Sequence, residues 1–143
     1  MLKVDDLMTK ELFTLNKDDN LKMARSLMDL QRIRHIPIVN ENREFIGLIT
    51  HRDILRATIS QLADIDPATQ GEIDSGIPIG EIMQTGIKTV NKDTLLKDAA
   101  YLLLNHKYGC LPVVNDKNGL EGILTEADFL KLTISLMEAL ENG

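Results

Sequence analysis

Two segments of the sequence place an aspartate three residues after a threonine. They are Gly47-Leu48-Ile49-Thr50-His51-Arg52-Asp53 and Gly122-Ile123-Leu124-Thr125-Glu126-Ala127-Asp128. Threonine followed at this spacing by an acid is close to a capping box, in which the two side chains satisfy free backbone N–H groups at the start of a helix. This structural interpretation is the common one, because every helix has unpaired N–H groups to satisfy.

The same pattern is also suited to a phosphorylated sugar. A helix N-terminus presents unpaired N–H groups and the positive end of the helix dipole, which favour a phosphate. The threonine hydroxyl can hydrogen-bond a phosphate oxygen, the aspartate can accept from two ribose hydroxyls, and the glycine on the preceding strand leaves room for a close ligand. Both interpretations stay open on the pattern alone, and its duplication favours the ligand site more than a single match would.

The two segments belong to a repeat that relates the halves of the chain at a constant offset of 75 residues. The ungapped matches include Met8 with Met83, Thr14 with Thr89, Pro37 with Pro112, and Val39-Asn40 with Val114-Asn115. We therefore predict a first repeat over 1–59, an acidic linker over 60–78, and a second repeat with an extended C-terminal helix over 79–143. The turn residues of the linker argue against a continuous element through it.

Each repeat shows the order β-α-β-β-α. A short β-prone piece precedes a helix with an apolar stripe, for which Asp19 is the expected cap in the first repeat. A hairpin of two strands and a second helix starting at Thr50 or Thr125 follow. The predicted fold class is α+β, and because one short repeat hardly buries a core, the two repeats are expected to pack together as one module.

The composition excludes several classes of partner and chemistry. The net charge of −6 gives no electrostatic basis for binding a nucleic-acid backbone or an anionic membrane surface. No apolar run is long enough for a signal peptide or a membrane span, and the single cysteine fits a reducing compartment, so we predict a cytoplasmic protein. The three histidines lack the spacing of a zinc site, and the sequence offers no recognisable constellation of a nucleophile or base held by a partner, so neither a metal site nor an enzyme is predicted.

The last predicted helix stays apolar around much of its circumference. Its apolar residues are Phe129, Leu130, Leu132, Ile134, Leu136, Met137 and Leu140. One monomer hardly covers all of these side chains, so we expect a homodimer that is buried partly through this helix.

The repeat resembles the cystathionine-β-synthase (CBS) domain, which occurs in pairs called Bateman modules. The resemblance covers nearly the whole chain and rests on the order and duplication of several weak motifs. These are Met8-Thr9 and Ile82-Met83, the helix from Leu21 to Met28, Arg34-His35-Ile36-Pro37-Ile38-Val39 and Leu111-Pro112-Val113-Val114, and the two Thr–Asp segments.

The resemblance implies clefts between the repeats that hold AMP, ADP, ATP or, less favourably, S-adenosylmethionine, with no required cofactor. Thr50 with Asp53, and Thr125 with Asp128, would contact phosphate and ribose. Residues at the strand starts would contact adenine. By position these are Thr14, Ile36 and Pro37 in the first site, and Thr89, Leu111 and Pro112 in the second.

The two sites are expected to differ, because every arginine of the chain lies in the first repeat. Arg34, His35, His51 and Arg52 are candidate ligand contacts there, whereas the second repeat carries Gly109, Cys110, Glu126 and Ala127 at the matching positions. Arginine binds phosphate strongly and glutamate repels it, so the first site should bind a phosphate better. Cys110 is a candidate contact of the second site. Arg25 and Arg43 are interpreted as surface charges.

These features predict a regulatory module that binds an adenine nucleotide and acts in trans on an unidentified effector protein. The alternative is a structural or protein-interaction scaffold of the same fold that binds no nucleotide. A change of stability on adding nucleotide would distinguish them.

Overall fold

The computed structural model describes residues 1–59, 66–106 and 109–142, which fall into two compact units. Phe13–Ile87 form the central unit, and Met1–Leu12 with Lys88–Gly143 form the terminal unit. Residues 60–65 of the predicted linker lie outside the described residues.

In its described residues, the central unit contains three α-helices, a short 3-10 helix (Ile79–Glu81) and a two-stranded antiparallel sheet. Its elements are α1 (Leu21–Gln31), β1 (His35–Val39), β2 (Phe45–Thr50), α2 (His51–Ile59) and α3 (Pro67–Ser75). Leu21, Ala24 and Met28 recur at helical spacing, so one face of α1 is buried. The core of this unit comprises Leu21, Ala24, Met28, Ile36, Ile38, Ile49, Ile54 and Ile79.

The terminal unit repeats the order helix, hairpin, helix, and it includes a short 3-10 helix (Val4–Asp6). Its elements are α4 (Leu96–Asn105), β3 (Cys110–Val114), β4 (Leu120–Thr125) and α5 (Glu126–Asn142). Its core comprises Val4, Val90, Leu96, Ala99, Leu103, Leu111, Val113 and Leu124. The predicted α+β class and element order are confirmed, although each opening β-prone piece forms a single parallel bridge, Leu15 with Ile38 and Val90 with Val113.

The opening segment of each repeat pairs with the return strand of the other repeat. Thr9 and Ile123 exchange backbone hydrogen bonds of 2.8 and 3.0 Å within the terminal unit. At the matching positions, Gln84 and Leu48 exchange bonds of 2.8 and 2.9 Å within the central unit. The ends of the compact units therefore differ from the ends of the sequence repeats.

Two local expectations are corrected at helix starts. Asn20, not Asp19, caps α1, because its Oδ1 accepts from the Met23 N–H at 3.0 Å. Asp19 accepts from the Asn16 N–H and so stabilises the preceding turn. Helices α2 and α5 begin one residue after Thr50 and Thr125, which end the strands.

The expectation that no continuous element crosses the linker is wrong for its second half. Asp66 caps α3 by accepting from the Thr69 N–H at 2.8 Å, and Pro67 opens the helix, where its missing N–H costs nothing. Asp74 is 2% exposed and accepts from Arg25 Nε at 2.8 Å and from Gln70 Nε2 at 2.7 Å. Arg25, expected to be a surface charge, thus holds α3 against α1.

Candidate functional site

The first Thr–Asp turn, formed by Thr50 and Asp53, is a capping box at the start of α2. Asp53 Oδ2 accepts from the Thr50 N–H at 2.8 Å and from Thr50 Oγ1 at 2.9 Å. The Asp53 N–H donates to Thr50 Oγ1 at 3.2 Å. Both side chains are buried, at 8% and 9% exposed, so the local sequence fixes their positions through the cap.

The second Thr–Asp turn, formed by Thr125 and Asp128, has the same geometry at the start of α5. Asp128 Oδ2 accepts from the Thr125 N–H at 2.9 Å and from Thr125 Oγ1 at 3.2 Å, and the Asp128 N–H donates to Thr125 Oγ1 at 3.3 Å. Asp128 is 7% exposed, whereas Thr125 is half-buried. The capping-box interpretation of the sequence pattern is therefore confirmed in both copies.

A donor from an opening segment contacts each aspartate. Gln84 Nε2 donates to Asp53 at 2.9 Å from Oδ1 and 3.1 Å from Oδ2. Thr9 Oγ1 donates to Asp128 Oδ1 at 3.2 Å. Sequence reasoning assigned neither residue to the site, although they are related by the offset of 75 and follow Met8 and Met83 directly.

The glycines before the turns accommodate methionines, contrary to the expectation that they leave room for a ligand. A Cβ added at Gly47 would lie 2.5 Å from Met83 Sδ, and one added at Gly122 would lie 2.8 Å from Met8 Sδ. The opening segments approach the strands closely at these points, so a larger residue would displace them.

Hydrogen bonding in the turn sets what Thr50 offers a ligand. A hydroxyl carries one proton, and Thr50 Oγ1 directs that proton to Asp53 Oδ2. A phosphate accepts hydrogen bonds only, so the hydroxyl must rotate away from Asp53 before it can donate to a phosphate oxygen. Thr125 has the same arrangement with Asp128.

The strand starts lie opposite the turns. His35 pairs with Thr50 and Cys110 with Thr125 in the two hairpins, and the following residues Ile36, Pro37, Leu111 and Pro112 are buried. Thr14 and Thr89 each come directly before a residue that is bonded to the hairpin. The Leu15 N–H donates to the Pro37 carbonyl at 3.3 Å, and the Val90 N–H donates to the Pro112 carbonyl at 3.1 Å. Each unit thus brings its predicted contacts to one end of its hairpin.

The charged candidates also lie near the turns. Arg34 and Arg52 are exposed. The Arg34 carbonyl accepts from the N–H of His51, which is the first residue of α2 and directly precedes Arg52. In the terminal unit the Gly109 carbonyl accepts from the Glu126 N–H at 3.2 Å. Burial, with a smaller contribution from the negative charge of Glu126, raises the pKa of the Cys110 thiol to about 12.

Residues 1–59, 66–106 and 109–142 contain no group of three or more His, Cys, Asp or Glu side chains arranged for a metal ion. A hollow of about 300 Å³ in the terminal unit is lined by none of the predicted site residues. Its lining residues are Met1, Leu2, Leu95, Leu96, Lys97, Ala100 and Phe129. Among the described helices, none has the length and apolar character needed to cross a bilayer.

Two copies of the CBS domain model match the chain, at residues 4–60 and 79–135, so the chain belongs to the CBS domain family. A CBS domain-containing protein of Dictyostelium discoideum is 31% identical over 135 residues, covering 94% of this chain and 93% of that protein. The chain spans much less of other curated relatives. It covers 25% of a homoserine O-acetyltransferase of Methanocorpusculum labreanum, with 29% identity over 140 residues and 98% of this chain matched.

Solved structures support the family and the fold. The AcuB protein of Vibrio cholerae has a TM-score of 0.84 and 36% identity, covering 99% of this chain and 98% of that chain. CBSX2 of Arabidopsis thaliana in complex with AMP has a TM-score of 0.80 and 25% identity, covering 96% and 99%. The CBS domain pair of protein MJ0100, in complex with 5′-methylthioadenosine and S-adenosyl-L-methionine, has a TM-score of 0.78 and 25% identity, covering 94% and 98%.

Proposed function

We propose that this chain is a regulatory module that binds an adenine nucleotide at its Thr–Asp turns and acts in trans on an effector protein. AMP, ADP or ATP is the proposed ligand, and S-adenosylmethionine is a less favoured one. The carrying observation is that the same Thr–Asp turn, with a buried aspartate, is built twice in a family whose members CBSX2 and MJ0100 bind adenosine compounds.

Each proposed contact has a chemical basis in the turns. The start of α2 or α5 supplies backbone N–H groups and the positive end of a helix dipole for phosphate. Thr50 or Thr125 adds a hydroxyl, and Asp53 or Asp128 accepts from ribose hydroxyls. Adenine would lie against the buried apolar residues at the hairpin end, next to Thr14 or Thr89.

The charges favour the first turn for a phosphate. His51 and Arg52 are the first residues of α2, and the Arg34 carbonyl accepts from the His51 N–H; arginine donates charge-assisted hydrogen bonds to phosphate oxygens. Glu126 opens α5 with a negative charge, which disfavours an anion at the second turn. We propose that the first turn is the stronger nucleotide site and that the second turn takes a less charged ligand or binds weakly.

Regulation rather than catalysis is proposed for the bound nucleotide. A buried thiol with a raised pKa, as at Cys110, is a poor nucleophile at neutral pH, and a free buried cysteine is consistent with a reducing cytoplasm. The match covers 93% of the Dictyostelium relative and 98% of the AcuB chain, so those relatives consist almost wholly of the CBS pair, which supports an output made on a separate effector.

A homodimer is proposed from the apolar surface of α5. Leu130, Ile134, Leu136, Met137 and Leu140 are more than half exposed, and Leu140 is 82% exposed. At helical spacing these side chains form one broad stripe, and contiguous exposed apolar surfaces of this kind mark interaction sites. A second copy of the helix would bury the stripe.

One observation favours the alternative of a scaffold without a nucleotide. Both aspartates are already hydrogen-bonded by side chains of the protein, and both threonine hydroxyls direct their protons to those aspartates. A module that never binds ribose or phosphate would have this same arrangement.

Thermal denaturation distinguishes the two functions. A ligand at one hundred times its dissociation constant adds about 2.7 kcal/mol to the free energy of unfolding. We expect millimolar AMP, ADP or ATP to raise the melting temperature of the wild type, and the double variant Asp53→Asn with Asp128→Asn to lose that rise. The Asn20→Ala variant is the control, since it removes a helix cap away from both turns. A wild-type melting temperature that stays flat with every nucleotide and with S-adenosylmethionine would favour the scaffold.

A further inference from the structure

The hollow beside α4 corresponds to a surface that a helix covers in the central unit. The Leu96 N–H donates to the Leu2 carbonyl at 2.9 Å. The offset of 75 residues relates this bond to the one from the Leu21 N–H to the Ile77 carbonyl, which is also 2.9 Å long. Helix α3 ends two residues before Ile77 and packs on α1, so the central unit shows what the matching surface of the terminal unit can hold.

Two of the contacts that hold α3 on this surface involve the start of α1. Asp74 of α3 accepts a hydrogen bond from Arg25 Nε at 2.8 Å. Gly71 of α3 lies so close to α1 that a Cβ added to it would be 3.9 Å from Lys22 Cε. The face of α1 that carries Lys22 and Arg25 is therefore a helix-binding surface.

The start of α4 presents the matching face without a covering helix among the described residues. Lys97 and Ala100 stand at the positions of Lys22 and Arg25, and both line the hollow. The rest of the lining is apolar, and the volume is about 300 Å³. A cavity of about 150 Å³ lined by similar side chains holds benzene, so the hollow has room for a large apolar side chain.

The hollow is continuous with the exposed apolar surface of the terminal unit. Tyr101 and Leu104 follow Lys97 on the same face of α4 at helical spacing, and both are more than half exposed. Phe129, which lines the hollow, directly precedes Leu130 of the α5 stripe. A partner that covers the stripe therefore lies next to the hollow.

Helical geometry brings the C-terminal end of α5 of a second copy to this hollow. Leu140 follows Phe129 by eleven residues, about three turns, so both side chains lie on the same face of α5. When two α5 helices pack antiparallel about a two-fold axis beside Ile134 and Ser135, Leu140 of each copy comes opposite Phe129 of the other. Leu140 has the largest exposed fraction among the apolar side chains of α5.

We propose that the hollow receives Leu140 of a second copy of this chain and that Glu141 of that copy pairs with Lys97. This inference rests on the proposed homodimer and identifies the surface that receives the end of each α5. The contact occurs twice in the dimer, since each copy supplies one hollow and one helix end.

Charge complementarity supports a second copy as the occupant. Lys97 is exposed, and no ion pair involves it in the parts of the chain that the structure describes. Glu138 and Glu141 lie near the end of α5, and the last turn of this helix contains no basic residue. At about 100° per residue, Glu141 lies at the edge of the stripe and Glu138 farther round the helix. Glu141 is therefore the acid that reaches Lys97 when Leu140 enters the hollow.

Charge reversal in the full chain tests this pair. Lys97→Glu places a like charge beside Glu141 of the second copy. Because the contact occurs twice, we expect the dissociation constant of the dimer, measured by sedimentation at about 0.15 M salt, to rise about tenfold. Combining Lys97→Glu with Glu141→Lys should return the constant to within about threefold of the wild type, since the pair is rebuilt with its charges exchanged.

Two matched variants separate the pair from the change of net charge. Lys131→Glu changes the net charge by the same amount on the side of α5 away from the stripe, and it should leave the dissociation constant unchanged. Lys97→Glu with Glu138→Lys has the same composition as the rescued variant and should stay as weak as Lys97→Glu alone. All of these residues are exposed, so the substitutions should leave the fold intact.

The outcomes distinguish the inference from the proposed homodimer. A dimer that Lys97→Glu leaves unchanged, or that Glu138→Lys restores as well as Glu141→Lys does, would overturn the inference while the homodimer stands. A wild type that sediments as a monomer would overturn both.

Cross-linking of the wild type tests the same contact without any substitution. A carbodiimide joins a lysine to a neighbouring carboxylate through an amide bond, and a mixture of ¹⁴N- and ¹⁵N-labelled protein shows whether the two joined peptides come from different copies. We expect Lys97 joined to Glu141 in pairs of mixed isotope. A dimer that yields no such mixed pair would overturn the inference.

Discussion

Thr50 and Asp53 close a helix cap, and the same atoms are the ones proposed to contact phosphate and ribose. The cap explains why the residues are buried and fixed before any ligand arrives, which lowers the cost of ordering a site. Because Thr50 and Asp53 are already hydrogen-bonded to each other, a ligand must replace bonds within the protein and does not pair with free donors or acceptors. The affinity then depends on the charges around the turn, which differ between the repeats.

Single alanine variants test this difference at the residue scale. Asp53→Ala and Asp128→Ala lose equivalent caps, each costing about 1 kcal/mol of stability, so the two variants are matched controls for each other. We expect Asp53→Ala to lose more AMP affinity in calorimetry, because Arg34, His51 and Arg52 favour the phosphate at the first turn. Equal losses from both variants would contradict the proposed difference between the sites.

Cys110 gives a prediction about pH. Its pKa is raised from the ordinary 9.0 to about 12 in the folded protein, so the stabilisation from the neutral thiol is complete below pH 9. Above pH 9 the thiol ionises in the unfolded chain first, and the free energy of unfolding falls as the pH rises toward 12. Urea denaturation should show that the free energy of unfolding falls between pH 8.0 and pH 10.5 by about 1–2 kcal/mol more in the wild type than in Cys110→Ala. Equal losses would show that the thiol does not contribute.

At the scale of elements, the sequence predicted the repeated hairpins and flanking helices well and the connections poorly. The strands were readable because Ile36–Val39 and Leu111–Val114 are continuous apolar runs bounded by turn residues. Helix α3 was missed because Gly71, Asp74 and Ser75 are poor helix formers, and its stability comes from the Asp66 cap and from tertiary contacts of Asp74. The pairing of the opening segments with the opposite repeats, which brings Gln84 and Thr9 to the turns, depends on long-range contacts that no local pattern encodes.

The ion pair between α1 and α3 can be tested by removing Arg25. Arg25→Ala leaves the Asp74 carboxylate buried with one donor fewer, and unpairing a fully buried charge costs about 3–5 kcal/mol. Because the Arg25 side chain is 30% exposed, we expect a loss below that range but above 1 kcal/mol in urea denaturation. Arg56→Ala removes an exposed arginine of α2 and should change stability by less than about 0.5 kcal/mol. An Arg25→Ala protein as stable as Arg56→Ala would mean that the pair does not hold α3.

At the scale of the whole molecule, the acidic chain carries a conspicuous apolar stripe on α5. Among the described residues of the second repeat, the stripe accounts for most of the large apolar side chains that are over half exposed. Burying it between two copies would remove a patch that otherwise favours nonspecific association. A dimer would also let occupancy of one copy influence the surface that an effector contacts.

Sedimentation velocity tests the dimer. Ile134→Glu with Met137→Glu places two charges on the stripe and should shift the protein from dimer to monomer at micromolar concentration, because each charge would lose its hydration in the interface. Ser135→Glu is the control, since Ser135 lies on the other side of α5 at helical spacing. A wild type that sediments as a monomer at micromolar concentration would contradict the proposal.

A crystal structure of the protein grown with millimolar AMP is the most direct test of the nucleotide site. The account predicts a phosphate at the start of α2 within hydrogen-bond distance of Thr50 and ribose hydroxyls on Asp53. AMP bound away from both Thr–Asp turns, or crystals in which both turns keep their internal hydrogen bonds and no nucleotide is present, would contradict it.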